Sequence, residues 1–180
     1  MLLAVIAYPR ISEADRTWIE SIRSRFDPQV ARLAAHFTLV FPLEAGASSV
    51  MREASAVARS HDPIAFTIRH AAAVRNVLTT GGHVFLVADE GGRAIVNLHD
   101  RLYGDVLKPH LRSDIPFVPH MTVAASEDFG WCDAFARNIC RGRTISGTLD
   151  VIDVVDVGLP RVESIGQFVL GESGHAATGL

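Results

Sequence analysis

The chain opens on an unbroken apolar run, residues 2 to 8, of the length a buried strand needs. Ser12 then starts a helix, with Asp15 three places on in the manner of a capping box. Trp18, Ile19, Ile22 and Phe26 give that helix one apolar stripe. His36 to Phe41 reads as a second strand and Val50 to Arg59 as a helix of small residues. Ile64, Phe66 and Ile68 alternate with Ala65, Thr67 and Arg69 as a third strand.

The same order returns in the second half. His83 to Ala88 predicts a strand, and Arg93 to Leu107 a helix behind the Gly91-Gly92 turn. His120 to Ala125 predicts a strand, followed by a helix containing Trp131, Phe135 and Ile139 with Ser126 as its cap. Thr148 to Val157 supplies the third strand. The first strand precedes the His-bearing strand by about 33 residues in one half and about 36 in the other, which marks an internal duplication. The expected fold is α+β and bilobal: two antiparallel sheets, helices on their outer faces, an approximate internal two-fold and a central cleft. Residues 1–171 form one two-lobed domain on this reading, with repeats at about 2–70 and 83–157 and a final strand at about 166–170. Residues 172–180 are Gly-rich and aperiodic, as in a disordered tail.

Composition narrows the function. The net charge of −3 leaves no global positive field to hold a long nucleic acid, so any such contact must be local. No basic segment precedes the opening apolar run, and Tyr8-Pro9-Arg10 ends it far short of a membrane span, which argues against a targeting signal or a membrane partner. Cys132 and Cys140, eight apart in a helical pattern, are about 12 Å apart along the axis and cannot pair, as expected of a reduced, cytoplasmic protein.

Candidate chemistry comes from the two equivalent strands. One reads His36-Phe37-Thr38-Leu39-Val40 and the other His120-Met121-Thr122-Val123-Ala124. Alternation puts each His on the same face as its Thr and turns Phe37, Leu39, Met121 and Val123 the other way. A two-fold axis would then bring two imidazoles and two hydroxyls around one groove. Such a set suits phosphodiester cleavage: a neutral imidazole takes a proton from the nucleophile, and a protonated one gives a proton to the leaving oxygen. The Thr hydroxyls can donate to non-bridging phosphate oxygens, with no metal required.

The paired His-x-Thr-apolar pattern, with a Pro before the second in Val118-Pro119-His120-Met121-Thr122-Val123 and Phe41-Pro42 after the first, resembles the 2H phosphoesterase superfamily, notably its 2′-5′ RNA ligase-like branch. The resemblance covers nearly the whole chain. It implies a bilobal fold and hydrolysis of 2′,3′-cyclic phosphates of nucleotides or RNA ends, with ligase activity secondary. His36, Thr38, His120 and Thr122 match the family's functional residues. The acid and base roles of the two His stay unassigned.

Secondary candidates surround this set. Arg10, Arg69 and Arg75 could bind a second phosphate or a base, and Tyr8, Phe41 and Phe117 could stack on one. Most surface Arg are merely solvated and most such aromatics are core. The remaining His and both Cys lack ligand-like spacing, so neither a metal nor a cofactor is expected, and the chain is expected to act as a monomer. The competing reading is a binding module that keeps the phosphate cleft and recognises nucleotides or RNA ends without turnover.

Overall fold

The computed structural model describes residues 1–76, 80–158 and 160–171. The expected tail, 172–180, lies outside them. Two antiparallel sheets are built from β1 (Leu2–Ala7), β2 (Arg10–Ile11), β3 (Phe37–Glu44), β4 (Ile64–Arg75), β5 (Gly82–Ala88), β6 (His120–Ser126), β7 (Ile145–Leu149), β8 (Val151–Asp156) and β9 (Glu163–Val169). One sheet has the order β3-β1-β8-β9, the other β2-β7-β4-β5-β6. Helices α1 (Glu13–Phe26), α2 (Ala47–Arg59), α3 (Gly92–Leu102) and α4 (Phe129–Ile139) cover them. The fold is therefore α+β and bilobal.

Four strands of the two sheets correspond in order, β3-β1-β8-β9 against β6-β5-β4-β7, and β2 is an extra edge strand. β1 pairs with β3 as β5 pairs with β6. The third strand of each half then crosses over: β8 joins β1, and β4 joins β5. Helices cross in the same manner, α1 packing on β6 and α3 on β3. Phe37 of β3 meets Phe66 of β4 edge to face, 5.2 Å between centroids, which ties the lobes through one buried contact.

Three expectations need correction. Thr148 to Val157 is two strands in two sheets, not one. The chain turns at Asp150, whose carboxylate accepts from Arg10 Nε at 2.8 Å and whose carbonyl accepts from Leu170 N at 2.8 Å. Beyond the turn, Ile152 to Asp156 are all buried, because β8 is an interior strand. The helix expected to reach Leu107 stops at Leu102, where Tyr103 caps it and Gly104 N–H bonds back to Arg101 O. The cap of α4 is Asp128, which accepts from Trp131 N; Ser126 instead accepts from Asp128 N.

Candidate active site

Alternation along β3 and β6 separates two faces. Phe37, Leu39, Met121 and Val123 are at most 1% exposed, whereas Thr38 and Thr122 are partly open. His36, Thr38 and Thr122 line one cavity of about 150 Å³, together with Arg23, Asp27, Gln29 and His83. His120 flanks it, close enough for the charges of His36 and His83 to act on it.

The two imidazoles are held alike. His36 Nδ1 lies 2.9 Å from the Ala34 carbonyl, and His120 Nδ1 lies 2.6 Å from the Val118 carbonyl, each two residues back. A carbonyl oxygen only accepts, so both rings carry a proton on Nδ1, and Nε2 is the nitrogen left to exchange one. Phe85 stacks on His120, and His83 stacks on Phe85 in turn. Tyr8 meets His36 edge-on, 6.4 Å between centroids.

The loop before His36 is clamped from α1. Arg23, 1% exposed, donates from Nε to Asp27 at 2.8 Å, from Nη1 to Glu20 at 2.9 Å and from Nη2 to the Leu33 carbonyl at 2.8 Å. Glu20 accepts from Ala35 N at 2.8 Å, and Asp27 from Gln29 N at 2.9 Å. These bonds fix residues 33–35, and with them the Ala34 carbonyl that orients His36.

Burial lowers the pKa of all three imidazoles. For His36 it is opposed by the Nδ1 bond and by Asp27 and Glu20. His120 is pushed down to about 4, first by burial, with His36 and His83 adding to the effect. For His83, Asp27 works against burial.

A second cavity of about 320 Å³ opens beside His36 and Thr38. Leu2, Ala4, Ile6, Leu33, Phe41 and Val162 make its walls largely apolar, with Gln29 and Arg32 among them.

The secondary candidates divide. Phe41 lines the second cavity and Tyr8 touches His36. Arg10, Arg75 and Phe117 line neither cavity, because nearer partners claim them: Arg10 pairs with Asp150, Arg75 lies 3.9 Å over the Phe129 ring, and Phe117 stacks on His99 at 3.7 Å. Arg69 is bonded to Glu90. The site residues that sequence reasoning passes over are His83, Phe85, Arg23 and Asp27. Period-two alternation in Gly82–Ala88 is the signal for the first two, since His83, Phe85 and Val87 share the face paired against Ala125, Thr122 and His120. For the others it is the spacing Glu20, Arg23, Asp27 along one helical face.

The family described as the 2'-5' RNA ligase superfamily matches residues 11–157. A Bacillus pumilus (strain SAFR-032) protein, named only as a candidate phosphoesterase, is 30% identical over 127 residues, 69% of this chain and 70% of that protein. A similarly named Bacillus licheniformis protein is 29% identical over 107 residues, and the match spans 58% of this chain and 60% of the relative. Among solved structures, TT0787 of Thermus thermophilus has a TM-score of 0.67 at 16% identity, over 97% of this chain and 100% of that one. Apo LigT of E. coli has a TM-score of 0.55 at 17% identity, over 94% and 96%. LigT has also been solved with 3'-AMP and with phosphate. At such identities these structures speak for the fold.

Proposed function

The chain belongs to the 2'-5' RNA ligase superfamily, and on that premise we propose that it is a metal-independent phosphodiesterase. It hydrolyses 2′,3′-cyclic phosphates of nucleotides or RNA ends by acid and base catalysis from His36 and His120. The observation that carries this reading is the matched tether: each imidazole is held at Nδ1 by the carbonyl two residues before it, at one cavity shared with Thr38 and Thr122.

In this scheme His120, kept neutral by its low pKa, takes the proton of the attacking water at Nε2. The water oxygen bonds to phosphorus while the bond from phosphorus to the 2′ or 3′ oxygen breaks. The imidazolium of His36, favoured by Asp27 and Glu20, gives its Nε2 proton to that leaving oxygen. Thr38 and Thr122 hydroxyls donate to the non-bridging oxygens, where charge accumulates. The apolar cavity beside His36 has the walls and the volume for a nucleoside base. LigT, solved with 3'-AMP and with phosphate, holds ligands of the two kinds this arrangement would take.

The test is hydrolysis of the four nucleoside 2′,3′-cyclic monophosphates in EDTA by the wild type, His36→Ala, His120→Ala and the double variant. Wild-type turnover that is lost in every variant is expected. Undiminished turnover in either single variant overturns the scheme. Binding without product would instead favour a nucleotide- or RNA-end-binding module on the same fold.

A further inference from the structure

Phosphate in this cleft meets little fixed positive charge. Among the described residues lining the cavity, Arg23 is the permanent cation, and its guanidinium is already shared between Glu20, Asp27 and the Leu33 carbonyl. One guanidinium between two carboxylates leaves that cluster net negative. His36 and His120 exchange protons with substrate in the reaction proposed above, on which this inference rests. The remaining cavity-lining group able to become a cation is His83.

His83 is placed for that part. It projects from β5 on the same face as Phe85 and stacks on it, with ring centroids 6.1 Å apart. Among the described residues no hydrogen bond to protein engages its ring nitrogens. Around it stand Arg23 and Asp27 from α1 and its cap, His36 and Thr38 at β3, and Thr122, Ala125 and His120 on β6. Asp27 favours its charged form, and burial opposes that form while the cleft is empty of anions. A cyclic phosphodiester carries one negative charge, whereas the monoester made from it ionises a second time at about pH 6. The His120 imidazolium left by the reaction can balance the first charge, and the second calls for a further cation, for which His83 is the cavity-lining group that remains.

We propose that His83 is a third phosphate-contacting imidazole, which takes up a proton as a phosphomonoester dianion occupies the cleft and so holds the nucleoside 2′- or 3′-monophosphate product as an ion pair. On the enzyme the proton passes from the P–OH of the new monoester to a ring nitrogen of His83, and no other bond changes. For a dianion bound from solution the proton comes from the buffer.

Calorimetric titration of the full chain with 2′-AMP and 3′-AMP at pH 7, in two buffers of different ionisation enthalpy, reads affinity and proton uptake together. The expected result is uptake of up to about one proton by the wild type. His83→Asn should bind about tenfold more weakly, with that uptake lost. Wild-type binding without uptake, no binding, or a His83→Asn variant that matches the wild type in both overturns the proposal. Should His83→Asn fold poorly, the imidazole nitrogen shifts of His83 in the wild type decide: movement to the doubly protonated state on adding 3′-AMP supports it, and a ring that stays neutral overturns it. Binding is read without turnover, so a chain that fails to hydrolyse cyclic phosphates can still pass or fail this test.

Discussion

Phe85 lies flat against His120, with ring centroids 3.5 Å apart and planes 17° from parallel. With the Val118 carbonyl at Nδ1, it leaves the imidazole a single orientation. An aromatic face also favours the imidazolium that forms when His120 accepts a proton, by about 0.5–2 kcal/mol. Phe85→Leu should therefore lower kcat on cyclic phosphates by about 2- to 30-fold. Its melting temperature should change little, because the ring is only partly buried. Wild-type kcat in that variant would remove Phe85 from any positioning role.

The pH profile follows from the two shifted imidazoles. Values of kcat/KM report the free enzyme. Its acid limb should lie at about 4, where His120 gains its proton and ceases to be a base. The alkaline limb should fall below the ordinary imidazole value, because burial makes His36 lose its proton early. An optimum above pH 7 would contradict this assignment. The sign for stability is the same: His120 binds its proton more weakly folded than unfolded, so its contribution is full above the ordinary imidazole pKa and is lost as pH falls toward about 4. Melting curves across that window should fall less steeply for His120→Asn.

Removing Arg23 strands two carboxylates. Arg23→Met should cost about 3–5 kcal/mol in urea unfolding, the usual penalty for breaking a buried pair from one side. Arg23→Lys keeps the charge and lacks the fork that reaches Glu20, Asp27 and the Leu33 carbonyl together. It should recover part of the stability while kcat stays low, since the loop carrying the Ala34 carbonyl is left loose.

The apolar cavity gives a test of substrate binding separate from chemistry. Val162→Trp should fill part of it and raise KM for nucleoside cyclic phosphates by about tenfold. Inhibition by inorganic phosphate, which needs only the cavity shared by His36, Thr38 and Thr122, should be unchanged. A variant that weakens both equally would show that the two cavities are not used as distinct subsites.

Much of this site is legible in the chain because its signals are local. Alternation alone separates Thr38 from Leu39 and Thr122 from Val123, and the repeat places both pairs at matching strands. Partnership between distant residues is what stays hidden. Leu149-Asp150-Val151 has a single polar residue to mark a change of sheet, and the change is made by Arg10 and Leu170. Arg23 reads as an ordinary helical Arg until the loop at Leu33 closes over it. Arg10, following the first strand, and Arg75, flanking a segment that could reach the cleft, read as candidates, but Asp150 and the Phe129 ring are the partners that stand nearest in space. Alternation puts His83 on one face with Phe85 and Val87, but only the pairing of that strand with the one carrying Thr122 and His120 tells that face from a solvated one.

The crossing of the third strands has a mechanical meaning. β8, from the second half, is an interior strand of the first half's sheet, and β4, from the first half, is an interior strand of the second's. Neither lobe can therefore come apart without pulling the middle out of the other. The cleft cannot work as a hinge between independent bodies, and the distance between the two histidine strands is held from both sides. Unfolding should be all-or-none, with the fluorescence of Trp18 and Trp131 and the backbone circular dichroism tracing one and the same transition.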